Sequence, residues 1–126
     1  METVRIGNVS DVDMKTGMVS VVYHDREDET TGYLPYFSPG EEWKPPEVED
    51  MVVVVHLSNG TTKGIVIGKF WNKGNIPPAI GKADWHKKLA DKAELRYEKE
   101  TDTLYIKAPH IVLECGEKII DVNEWG

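Results

Sequence analysis

The sequence predicts an all-β protein: a small closed barrel of five strands, then a Pro/Gly linker, then a short β-meander. Three observations predict it. Apolar residues recur with period two rather than 3.6 over the first 70 residues. Turn chemistry separates the apolar runs, including an Asn59-Gly60 pair between two β-rich stretches. Paired prolines and glycines interrupt the chain between residues 72 and 84, and β patterning resumes after them.

In order along the chain, Thr3 to Asp11 alternates Val4, Ile6 and Asn8 against Arg5, Gly7 and Val9, which reads as a strand. Asp13 to Gly17 is a turn in which Gly17 suits a positive φ, and Met18 to Tyr23 is a β-branched return arm. After the acidic loop Asp25 to Glu29, Thr31 to Phe37 reads as a third strand. Pro35 removes a ladder donor there, so that strand is expected at an edge or broken. Ser38 to Asp50 carries Pro39, Gly40, Pro45 and Pro46 among acids and reads as a loop. Met51 to Ser58 and Thr62 to Trp71 form the Asn-Gly hairpin. Val52 to Val55 is apolar without alternation, as for a strand buried on both faces. Five such strands with a long loop before the last hairpin suit the OB-fold, with a small open sandwich as the competitor.

The expected division is 1–71 barrel, 72–84 linker and 85–126 C-terminal β-structure. Asn75-Ile-Pro-Pro78 favours an extended, semi-rigid connection. Residues 84–92 read as strand or loop, because a stripe of Trp85, Leu89 and Ala93 is too short to specify a helix. Ala93 to Lys99, Thr103 to Ala108 and Ile111 to Cys115 read as three further strands. About 40 residues rarely close a core without a staple or a partner. Leu104, Ile106, Ala108, Ile111 and Leu113 are therefore the candidate residues of a self-association interface.

Composition narrows the function. The 126 residues carry 15 Lys+Arg and 22 Asp+Glu, a net charge of -7. Residues 1–50 hold 4 basic and 12 acidic residues, or -8, against 11 and 10 in the remainder, or +1. An acidic half repels phosphate backbones, so nucleic acid is not an expected partner. The longest aliphatic run, Met51 to Val55, falls far short of the roughly 20 residues of a bilayer-spanning helix. The N-terminal residues lack a secretory pattern, so synthesis and assembly are expected in the cytosol.

Motifs for phosphate loops, dinucleotides, zinc proteases and nucleophile elbows are absent from the sequence. Asp11, Asp13 and Gly17 hint at a calcium loop, but Lys15 and Val22 stand where ligands belong. His24, His56, His86 and His110 lie too far apart for local ligand pairs, and Cys115 reads as a buried inert thiol. Clustered acids at Glu27-Asp28-Glu29 and Glu41-Glu42 read as solvated faces rather than catalytic pairs. No enzyme activity, metal or cofactor is expected. Tyr33, Tyr36, Phe37 and Trp43 are candidate partner-contact residues, since aromatics among acids suit a protein interface or core packing better than a nucleic-acid groove. The alternative function is a stand-alone OB-fold module that binds oligonucleotide or carbohydrate through this strand and the 38–50 loop.

The strand Val4-Arg-Ile-Gly-Asn-Val9, the turn at Asp13 to Gly17, the Asn59-Gly60 hairpin, Gly64-Ile-Val-Ile-Gly68-Lys-Phe-Trp-Asn72 and the exit Asn75-Ile-Pro-Pro78 resemble the baseplate assembly protein V family, the central spikes of contractile phage tails. Similar OB-fold modules occur in type VI secretion spikes and phage-tail-like bacteriocins. Ala93 to Glu100 and Thr103 to Pro109 resemble the strands that open the intertwined C-terminal structure of that family. The resemblance implies a homotrimer whose C-terminal meanders wind into a β-prism or β-helix. It implies that the barrels dock on a hub at the end of the tail tube and that the prism points at the host envelope. It implies a location in the tail baseplate and a role in transmitting contraction force. A His-x-His triplet is lacking, so no tip iron is expected and a separate tip protein is an expected partner.

Overall fold

The computed structural model describes residues 3–57, 60–76 and 84–124. Its strands form antiparallel sheets, and the helical segments among the described residues are single 3-10 turns. The chain divides into two units, residues 1–72 and 73–126. Asn59, Pro77, Pro78 and Trp125 lie outside the described residues.

In the first unit β1 (Val4–Val12), β2 (Val19–Tyr23), β3 (Glu29–Thr30), β4 (Met51–His56) and β5 (Gly64–Gly68) lie in the order β3-β2-β1-β4-β5. β1 is the longest strand and pairs with both β2 and β4. The β1–β2 turn is held by Asp13 N–H donating to the Met18 carbonyl and Gly17 N–H to the Asp13 carbonyl. Gly17 takes φ +77, in the left-handed region that glycine enters without strain. β4 and β5 pair antiparallel as the expected hairpin, with arms that end at His56 and begin at Gly64, shorter than the 51–58 and 62–71 of the sequence reading.

The third strand is shorter than its sequence suggested. Only Glu29 and Thr30 pair regularly with β2, and Thr31 to Phe37 continues through isolated bridges. Leu34 pairs with Val19, and Tyr36 lies parallel to Val66 of β5. There Phe37 N–H donates to the Val66 carbonyl at 2.8 Å, and Val66 N–H donates to the Pro35 carbonyl at 2.9 Å. The two ends of the sheet thus meet. Pro35 fits the junction because only its carbonyl is used there.

Val9, Val19, Val21, Tyr23, Leu34, Val52, Val54 and Val66 fill the interior. Val52 to Val55 departs from the expected two-sided burial: Val52 and Val54 point in and are buried, whereas Val53 and Val55 point out and are half-exposed. Gly7 is small for a steric reason, since a Cβ there would stand 2.5 Å from Val21 and 2.8 Å from the Tyr23 ring. Beside that ring the Arg5 guanidinium stacks at 3.5 Å, only 5% exposed and with no hydrogen-bond partner at its terminal nitrogens. Tyr23 Oη lies 2.6 Å from His56 Nε2, and His56 Nδ1 lies 3.1 Å from the Lys63 carbonyl. A carbonyl only accepts, so Nδ1 carries a proton and donates to Lys63, and the Tyr23 hydroxyl is the partner of Nε2.

In the second unit β6 (Trp85–Ala90), β7 (Ala93–Glu98) and β8 (Thr103–Lys107) form an antiparallel sheet. Residues 85–90 are thus strand. β9 (Val112–Cys115) and β10 (Lys118–Asp121) form a separate hairpin, whose second arm the sequence reading did not anticipate. Gly116, at φ +60, opens its two-residue turn, the position at which such hairpins favour glycine. Asn123 ties the hairpin base, donating to the Pro109 carbonyl and accepting from Ile111 N–H.

Candidate assembly surface

Alternation along the three-stranded sheet sorts its side chains onto two faces. One face carries His86, Glu94, Arg96 and Tyr105. His86 Nε2 lies 2.6 Å from Glu94, and Arg96 stacks 4.1 Å from the Tyr105 ring. The histidine hydrogen bond, more than the nearby positive charges, holds the Glu94 carboxyl below its usual range. This face satisfies its polar groups largely within itself.

The opposite face is apolar apart from Lys87, which stands opposite Leu95. Register places Trp85 opposite Tyr97 and Tyr97 opposite Leu104, with Leu95 opposite Ile106. Trp85 remains 49% exposed, Leu104 58% and Ile106 53%. No described residue of the second unit is buried, whereas the first unit has a buried interior. Each Ile or Leu gains about 1.5–3 kcal/mol on full burial, so roughly half of that remains unrealised at Leu104 and Ile106 in the single chain.

The candidate interface residues fall in two places. Leu104 and Ile106 share the apolar face. Ala108 lies beyond the end of β8 and is half-buried, as is Ile111 before β9, whose amide is bonded to Asn123. Leu113 lies on β9 opposite Ile120 of β10, both exposed. Sequence reasoning missed Leu95 and Tyr97, although the alternation Ala93, Leu95, Tyr97 was the available signal. Cys115 is a correction: it is exposed, as are the other residues of β9.

The candidate contact aromatics belong to the first unit. Tyr33 is half-exposed and its hydroxyl donates to the Asp11 carboxylate, which raises the phenol pKa. Tyr36 is half-buried and meets Trp43 edge-on, with ring centroids 6.2 Å apart. Trp43 also lies beside Gly17, and Phe37 is exposed. Beyond the Tyr23 end of β2, His24 lies 2.6 Å from Asp28 and 3.3 Å from Glu49, and hydrogen bonds first to Asp28 and then to Glu49 raise its pKa. Asp13, in the suspected calcium turn, accepts instead from the Lys15 amide, which lowers its pKa. Among the described residues no three His, Cys, Asp or Glu side chains converge as a metal site. No protein-family model matches the sequence, and no curated protein matches it.

Proposed function

We propose that this chain is a structural, non-enzymatic component of the central spike or hub of a contractile tail or tail-like particle, working as a homotrimer. The observation that carries the proposal is the second unit: an amphipathic sheet and a hairpin with no buried residue, carrying Trp85, Leu104, Ile106, Leu113 and Ile120 into solvent. A sheet with one apolar face is stable only when that face is covered. Further copies of the same chain supply identical faces, and winding three meanders into a β-prism covers all of them.

The first unit supports an OB-fold barrel in the same role. β1 pairs with both β2 and β4, and the 34–37 segment meets β5 in parallel. Such a barrel is a rigid platform for docking on a tube-end hub, with the prism directed at the host envelope. The rival reading, an oligonucleotide or carbohydrate binder, is less well supported. Tyr33 and Tyr36 are engaged with Asp11 and Trp43, and the acids near them are Asp13 for Tyr33 and Asp50 for Tyr36.

Light scattering behind size-exclusion chromatography tests the proposal. Three chains of 14.2 kDa give a particle of about 43 kDa. A stable 14.2 kDa monomer refutes it.

A further inference from the structure

The outward face of β1, β4 and β5 in the first unit is a second uncovered apolar surface. Val4 pairs with Val55, which pairs with Ile65, and Ile6 pairs with Val53. Met51 and Ile67 extend the patch, and Val4 and Ile6 are each 55% exposed. No Lys, Arg, Asp or Glu points outward from these strands within the patch. An unbroken aliphatic patch over three strands marks a protein contact, whereas single exposed apolar residues are ordinary.

Charge selects the occupant. Residues 1–72 hold 6 Lys+Arg and 12 Asp+Glu, a net -6. Beside Met51 the chain carries Glu47, Glu49 and Asp50, of which Asp50 is paired with Lys69 at 3.7 Å and Glu49 with His24 at 3.3 Å, so the acids still outnumber the cations of this unit two to one. Two copies of such a unit repel one another, whereas a cationic partner is attracted. We infer that the face built from Val4, Ile6, Met51, Val53, Val55 and Ile67 docks a different protein, through an apolar surface bordered by Lys and Arg. The pattern also explains why β4 is apolar on both sides: Val52 and Val54 fill the interior, and Val53 and Val55 await the partner.

The inference deepens the hub-docking role proposed for the first unit and is separate from the self-association proposed for the second, so a monomeric chain that still binds the cationic peptide fails the trimer and not this face. Its test uses the full chain and two short synthetic peptides, one alternating leucine and lysine, the other leucine and glutamate. The cationic peptide binds, and its affinity falls about tenfold in the double variant Ile6→Ser/Val53→Ser. Raising the salt weakens it further. Ile67→Ser, on another strand, gives the same direction of change if the double variant melts early. Equal binding of both peptides, or binding unchanged by every substitution, overturns the inference. A drop in oligomeric mass in the Ile6→Ser/Val53→Ser variant also overturns it, because that result assigns the face to a second copy.

Discussion

Replacing Ile106 by Asp tests the assembly at its centre. In a single chain Ile106 is 53% exposed, so a carboxylate there keeps much of its water and changes folding stability little. In a dry seam between copies the same carboxylate loses that water without a partner. The cost is several kcal/mol per buried charge, to which the forfeited Ile burial adds roughly 1 kcal/mol. Every 1.4 kcal/mol is a factor of ten, so even about 3 kcal/mol per copy weakens association by more than a hundredfold per subunit. Sedimentation or light scattering across a dilution series reads the change directly: the variant dissociates to 14.2 kDa at concentrations where the parent holds together. Ile106→Val, which keeps the face apolar, leaves the mass unchanged. An Ile106→Asp chain with the parent's mass and melting temperature refutes the placement of this face in the seam.

Three further substitutions probe the fold. Gly7→Ala drives a methyl group into Val21 and the Tyr23 ring, and destabilises the first unit by about 1–3 kcal/mol in denaturant unfolding. Tyr23→Phe leaves the buried His56 Nε2 without its partner, and lowers unfolding free energy by about 1–3 kcal/mol. Glu94 has a depressed folded pKa, so its contribution is complete above the unfolded carboxylate value of about 4.3 and is lost as pH falls through the folded one. Melting curves below that pH therefore decline less steeply for Glu94→Gln than for the parent.

Strand content was legible because period-two alternation is local. β1, β2 and the arms of the β4–β5 hairpin follow the apolar pattern, and Gly17 marks its turn. Burial was less legible, because it depends on what lies across from a residue. Val53 and Val55 look like core in sequence but face outward, and Cys115 sits in a strand whose residues are all exposed. β10 escaped notice because four residues, Lys118 to Asp121, carry too little pattern, although Gly116 signalled the turn before them. The Arg5, Tyr23 and His56 cluster was invisible for another reason: its members are far apart in the chain and meet only through strand register. Likewise the pairing of β7 with its neighbours, rather than any single run, assembles Trp85, Tyr97 and Leu104 into one surface.

The junction where Tyr36 meets Val66 carries two backbone hydrogen bonds, whereas β1 and β4 are laced together over five residue pairs. A closed hoop of unequal lacing yields first at its narrowest stitch. Thermal opening of the first unit therefore starts along the 34–37 segment, which holds Val19 on one side and Val66 on the other by two backbone hydrogen bonds each, and the rest of the hoop stays fastened while that clasp works loose.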